Sequence, residues 1–191
     1  MEALLVSTGI VALAEIGDKT QLLAMILAAR YRKPVPILLG ILFATLGNHA
    51  LAASAGALAA AWLGPDLMRW ILGLMFLAMA GWCLIPDKAE DAPKALGHAG
   101  AFFATLVAFF LVEIGDKTQI ATVALAAQFQ TLLLVTLGTT LGMMLANTPA
   151  VFCGDLIARK VPMNLVHGLA AGLFILLGVM TLARWDFGLL G

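Results

Sequence analysis

Hydrophobic and polar positions alternate along this chain on a long scale: extended apolar runs, each closed by a short polar cluster. The runs cover about 3–29, 35–62, 67–85, 99–127, 132–158 and 163–183. Between them lie RYRKP at 30–34, LGPD at 63–66, IPDKAEDAPKALGH at 85–98, QFQT at 128–131 and RKVP at 159–162, and Arg184, Trp185 and Asp186 close the last run. A helix needs roughly 20 mostly apolar residues to cross the hydrocarbon of a bilayer. Each run is about that long, so the pattern predicts an all-α integral membrane protein with six transmembrane helices.

The second three runs repeat the first three. Glu15 to Gln21 and Glu113 to Gln119 are identical at a shift of 98, and Gly40 matches Gly138 at the same shift. Asn48 matches Asn147, and Gly73-Leu74 matches Gly172-Leu173, at a shift of 99. Residues 1–86 form the first three-helix repeat, 87–98 a flexible cytoplasmic linker, and 99–191 the second repeat. Three is odd, so the second copy enters the membrane from the opposite side. Two inverted three-helix repeats are the plan of many secondary transporters, whose sites lie at the midplane between repeats. The motif begins about a dozen residues into its helix in both halves, near mid-bilayer at about 1.5 Å per residue.

Charge then orients the chain. The loops after helices 1, 3 and 5 hold Arg30, Arg32, Lys33, Lys88, Lys94, Arg159 and Lys160, against Arg69 and Arg184 on the other side. The positive-inside rule places those loops in the cytoplasm and both termini outside.

Composition narrows the function classes. Hydrophobic residues make up 62% and charged residues 12%, with a mean hydropathy of +1.02. Globular chains run at about 45–50% apolar and about 25% charged. No soluble domain fits beside six crossings. The formal net charge is zero, and no basic stripe argues for nucleic acid. Cys83 and Cys153 lack CxxC spacing and read as buried small apolar residues. The ALA triplet at 12–14 imitates a signal-peptidase site, but the only early charge is Glu2 and the apolar run continues to Ala29, so no cleaved leader is expected.

The candidate chemistry lies in EIGDKTQ, present at 15–21 and again at 113–119. On an unbroken helix Glu15, Asp18 and Lys19 project within an arc of about 100°, as do Glu113, Asp116 and Lys117. Each charge at mid-membrane costs roughly 2.5–3.5 kcal/mol on the insertion scale. Six such groups are therefore paired or occupied. A structural ion-pair cluster explains their burial, but not why four carboxylates face two amines. The sum is −2, which one divalent cation neutralises. Glu15, Asp18, Glu113 and Asp116 supply hard oxygens, with Gln21 and Gln119 or backbone carbonyls as further ligands. That set suits Mg²⁺, Ca²⁺ or Mn²⁺. No Cys or His lies within the motif, against a Zn²⁺ or Cu⁺ site. Lys19 and Lys117 are the internal counter-ions. Gly17 and Gly115 either let another backbone approach or loosen the helix so that a carbonyl turns to the ion.

The second helix of each half adds secondary candidates. Gly40, Ala44 and Asn48 fall at four-residue spacing, as do Gly138 and Gly142, and small-residue rows let helices approach closely in lipid. Asn48 and Asn147 face that region, either as ligands or as interhelical hydrogen-bond donors. His49 reads first as a satisfied core residue, with a ligand or proton relay as the sharper alternative. Asp155 pairs with Arg159 four residues on, and Met75, Met79, Met143 and Met144 read as packing or lipid-facing residues.

Two E-x-G-D-[KR]-[ST] motifs, one per half, resemble the Gdt-type family of Mn²⁺/Ca²⁺ cation exchangers across the whole chain. The resemblance implies a six-helix transporter that moves Mn²⁺ or Ca²⁺ in exchange for protons, with the cation held by Glu15, Asp18, Glu113 and Asp116. For bacterial members it implies Mn²⁺ export across the inner membrane. Coulomb terms suggest the same coupling: an empty, fully ionised cluster is disfavoured in a membrane, so metal or protons fill it in turn. The expected partners are thus the transported cation, protons and the bilayer, with no resident cofactor and a homo-oligomer left open. Competing readings are an exporter of an amino acid or other small cationic metabolite, a scaffold without a site, and an intramembrane aspartyl protease. The last is a poor match, because a Glu stands three residues before each Asp.

Overall fold

The computed structural model describes residues 1–85, 100–153 and 163–184. These form eight α-helices: α1 (Glu2–Glu15), α2 (Lys19–Tyr31), α3 (Pro34–Trp62), α4 (Pro65–Cys83), α5 (Ala101–Glu113), α6 (Lys117–Phe129), α7 (Leu132–Cys153) and α8 (Met163–Ala183). The linker at 87–98, the Asp155–Arg159 pair, and Trp185 and Asp186 lie outside the described residues.

The helix ends follow from local chemistry. Pro34 and Pro65 open α3 and α4 in the first turn, where a missing N–H removes no helical bond. Arg32 and Gln130 adopt left-handed backbone with φ near 51° and 50°, and their N–H groups close α2 and α6 on the carbonyls of Ala28 and Ala126. These two caps stand 98 residues apart, so the sequence repeat is also a repeat of local structure.

Two of the predicted helices are not single helices. The run at 3–29 divides into α1 and α2, and the run at 99–127 into α5 and α6. The physical reason is the same in both. Ile16 and Ile114 turn to extended backbone (ψ 119° and 117°), and Gly17 and Gly115 take φ of +84° and +78°. A residue with a Cβ pays a steric penalty at that φ, whereas glycine does not. Asp18 and Asp116 then stand at the N-cap positions of α2 and α6. The arc drawn on an unbroken helix is therefore wrong: Glu15 ends one helix and Asp18 begins the next.

Four helices, α3, α4, α7 and α8, are each long and apolar enough to cross a membrane. Close glycine contacts set their neighbours. A Cβ on Gly40 of α3 would stand 2.7 Å from Thr105 Cβ and 2.9 Å from the Phe102 carbonyl of α5. A Cβ on Gly138 of α7 would stand 2.6 Å from the Leu4 carbonyl of α1, and one on Gly142 as close to that of Thr8. The first helix of each half thus packs on the long helix of the other. The α4–α8 pair closes through stacked Phe76 and Phe174, with ring centroids 6.3 Å apart.

Polarity runs from inside to outside in the order a lipid solvent requires. Phe43, Leu51, Phe103, Leu133, Phe152 and Ile175 are exposed, while Glu15, Asp18, Glu113, Asp116, Lys117, Asn48, His49 and Asn147 are buried. Cys83 is buried as expected; Cys153 is instead exposed beside the exposed Phe152.

Candidate cation site

The two breaks build the site. Each places a glutamate at the C-terminus of one helix and an aspartate at the N-cap of the next. The Asp18 carboxylate accepts the Lys19 N–H at 2.7 Å, and the Thr118 hydroxyl donates to Asp116 Oδ2 at 3.4 Å. The N–H-rich ends of α2 and α6 therefore lie against the acids and favour negative charge there.

Both breaks are braced alike. Gln21 Oε1 accepts the Gly17 N–H at 2.9 Å, and Gln119 Oε1 accepts the Gly115 N–H at 2.7 Å. The Asp18 and Asp116 N–H groups return to the Glu15 and Glu113 carbonyls at 3.0 and 3.1 Å. Gln21 also donates to the Ala146 carbonyl at 3.0 Å, tying the first break to α7. In this structure the two glutamines thus hold the backbone of the motif.

The lysines cross between halves. Lys19 Nζ lies 3.3 Å from Asp116 Oδ1, and Lys117 Nζ lies 3.5 Å from Asp18 Oδ1. The sequence named Lys19 and Lys117 as internal counter-ions without assigning their partners; the structure shows each motif's amine beside the other motif's aspartate. The environments differ, since the Lys19 side chain is 18% exposed and that of Lys117 only 2%.

Three of the four carboxylates converge. Oxygens of Glu15, Asp18 and Asp116 lie within 4.8 Å of one another, and all three residues are buried. Such a set, drawn from both halves, can hold one hard cation. Glu15 Oε1 accepts the Asn147 amide at 3.2 Å, while Oε2 accepts no hydrogen bond among the described residues. Glu113 stands outside the trio. Its Oε2 lies 3.6 Å from His49 Nε2.

The asparagines diverge. Asn147 Nδ2 serves Glu15 and the Met143 carbonyl, the latter at 3.1 Å, and it also meets Met143 Sδ. Asn48 Nδ2 instead donates to the Phe110 carbonyl at 3.0 Å. Sequence reasoning missed the cover on the first break: a Cβ on Gly17 would stand 2.7 Å from Met163 Sδ and 3.4 Å from His167 Nε2, whereas one on Gly115 would meet nothing within 4 Å. No periodicity points from residue 17 to residue 163, so this contact carried no signal.

The sequence profile of the family described as "Divalent cation/proton antiporter GDT1" matches residues 3–91 and 101–186. A Vibrio cholerae protein named "Putative manganese exporter" is 54% identical over 182 residues, covering 95% of this chain and 90% of that protein. An Arabidopsis thaliana GDT1-like protein is 30% identical over 89% of this chain and 90% of its own length. A Synechocystis GDT1-like protein is 28% identical over 90% of this chain and 92% of its own. No solved structure matches. A buried acid cluster built from two copies of one motif, in a chain matched along nearly its whole length, identifies an integral membrane transporter of the GDT1 divalent cation/proton antiporter family.

Proposed function

We propose that the chain exports divalent cations, Mn²⁺ and also Ca²⁺, from the cytoplasm in exchange for protons. The observation that supports this most directly is the convergence of Glu15, Asp18 and Asp116 oxygens within 4.8 Å, buried at two helix breaks and flanked by crossed lysines. The likeness to a Vibrio protein named as a manganese exporter supports the metal.

The architecture in this reading is six spans in two inverted repeats. At about 1.5 Å per residue, α1 and α2 (14 and 13 residues) are each about 20 Å long, short of a hydrocarbon core about 30 Å thick. Joined end to end through the break they suffice, and so do α5 and α6. Each broken helix is then one span with its acids at mid-depth. The arginine- and lysine-bearing loops after spans 1, 3 and 5 face the cytoplasm, and both termini lie outside, in a bacterial inner membrane.

The cycle follows from charge. Glu15, Asp18, Glu113 and Asp116 with Lys19 and Lys117 sum to −2. A cation entering from the cytoplasm takes the aspartate oxygens that the lysines hold, and the lysines withdraw. The neutral core lets the two halves rock and expose the ion outside. Protons arriving there compete for the same oxygens, release the ion and again lower the charge for the return. An empty ionised cluster is too costly to turn over alone, which couples the two fluxes.

Proteoliposomes containing a pH dye test this. Mn²⁺ entry should move protons outward and follow an imposed pH gradient, and Asp18→Asn or Asp116→Asn should each abolish it in protein that still inserts. Flux that moves no protons would remove the exchange, and full flux in either variant would remove that aspartate from the site. Amino acids that displace Mn²⁺ in the same assay would favour a metabolite exporter.

A further inference from the structure

The two halves are not furnished alike around their glutamates. In the first, Glu15 takes the Asn147 amide. In the second, the equivalent Asn48 is turned to the Phe110 carbonyl, and the group facing Glu113 is His49. The residue in register with His49 in the other half, at the shift of 99, is Thr148, which offers no nitrogen.

His49 and Glu113 are both fully buried, with 0% side-chain exposure. Their nearest atoms stand 3.6 Å apart, beyond hydrogen-bond length. Both ring nitrogens of His49 and both carboxylate oxygens of Glu113 make no hydrogen bond among the described residues. Buried polar atoms are normally satisfied, and a merely structural histidine would anchor at least one nitrogen. His49 Nε2 and Glu113 Oε2, which face each other across this gap without a hydrogen bond, suit a third body between them. Two donors each about 2.1–2.6 Å from one ion stand about 3–4 Å apart, which the observed gap meets.

We propose that His49 is a specificity-determining ligand: with Glu113 it forms a nitrogen-bearing arm of the cation site that favours first-row transition-metal dications over Ca²⁺ and Mg²⁺. The chemistry is that of donor type. Calcium and magnesium sites are built from oxygens, whereas imidazole binds the transition series well. An all-oxygen trio of Glu15, Asp18 and Asp116 discriminates poorly among hard dications; one nitrogen added from α3 supplies a difference. This inference rests on the cation-site reading above.

The test uses the full chain in detergent micelles with Mn²⁺ as the probe. Pulsed electron paramagnetic resonance of bound Mn²⁺ should show coupling to histidine nitrogen that changes isotope pattern in protein labelled with ¹⁵N-histidine. The coupling should vanish in His49→Gln and persist in His167→Gln. By calorimetry, Mn²⁺ affinity in His49→Gln should fall at least about tenfold while Ca²⁺ affinity holds. Bound Mn²⁺ without histidine coupling in the unsubstituted protein overturns the inference and leaves the cation site standing. Equal loss of Mn²⁺ and Ca²⁺ affinity in His49→Gln overturns the selectivity. No binding of either ion to the unsubstituted protein overturns the site and this inference together.

Discussion

Lys19 and Lys117 occupy the same place in identical motifs, yet they should not be worth the same. Lys117 and Asp18 are 3.5 Å apart with side chains 2% and 0% exposed; Lys19 and Asp116 are 3.3 Å apart, but the Lys19 side chain is 18% exposed. Removing one partner of a buried pair leaves an uncompensated charge and costs about 3–5 kcal/mol. Lys117→Gln should fall in that range. Lys19→Gln leaves Asp116 a wetter surrounding, so its loss should be no more than about half of that. The double variant Asp18→Asn/Lys117→Gln removes both members of this pair and leaves the sum of the remaining cluster at −2. The double-mutant cycle should return a coupling of about 2–3 kcal/mol, at the upper end for contacting residues. Reversible unfolding in mixed micelles, with chelator present so that no cation contributes, measures each leg. Equal losses for the two lysines, or a coupling indistinguishable from zero for Asp18 and Lys117, would refute the inference that the halves are inequivalent at the site.

Three further outcomes follow from the breaks. Gly115→Ala should cost only the penalty of a left-handed backbone, about 1–2 kcal/mol, because its Cβ meets open space; Gly17→Ala should cost more, and Met163→Ala should recover the excess in a thermal melt. Gln119→Leu should destabilise by about 1–3 kcal/mol, since the Gly115 N–H loses its acceptor, and Gln119→Glu should recover most of it in the same melt. Mn²⁺ at about 100 times its dissociation constant should raise stability by about 2.7 kcal/mol; a melt of Asp18→Asn that shifts equally with Mn²⁺ would place the ion elsewhere.

The sequence carried the helices and the acids but not their arrangement. The apolar runs located α3, α4, α7 and α8 to within a few residues, because length and hydropathy alone decide a span in lipid. The motif copies marked Glu15, Asp18 and Asp116, since charge in an apolar run is costly enough to signal function. Hydropathy is blind to the breaks, however: Ile16 and Ile114 are as apolar in extended backbone as in a helix, and a lone glycine is ambiguous. The crossed pairing of lysines was hidden for another reason. Spacing along one helix reports only neighbours on that helix, and here the relevant neighbours lie 98 residues away. His49 was visible as a histidine within an apolar run, but its facing of Glu113 depends on how α3 meets the end of α5.

The exchanged pairs also bear on biogenesis. Lys19 and Asp18 leave the ribosome with the first half, while Asp116 and Lys117 follow about a hundred residues later. Until α5 and α6 are made, neither cross-half bridge can close, and the first half carries buried charge without its cross-half partners. The second half is therefore needed to complete the first, and a truncated chain should be conspicuous to membrane quality control. Pairing across the repeat makes assembly of the two halves a condition for the stability of either.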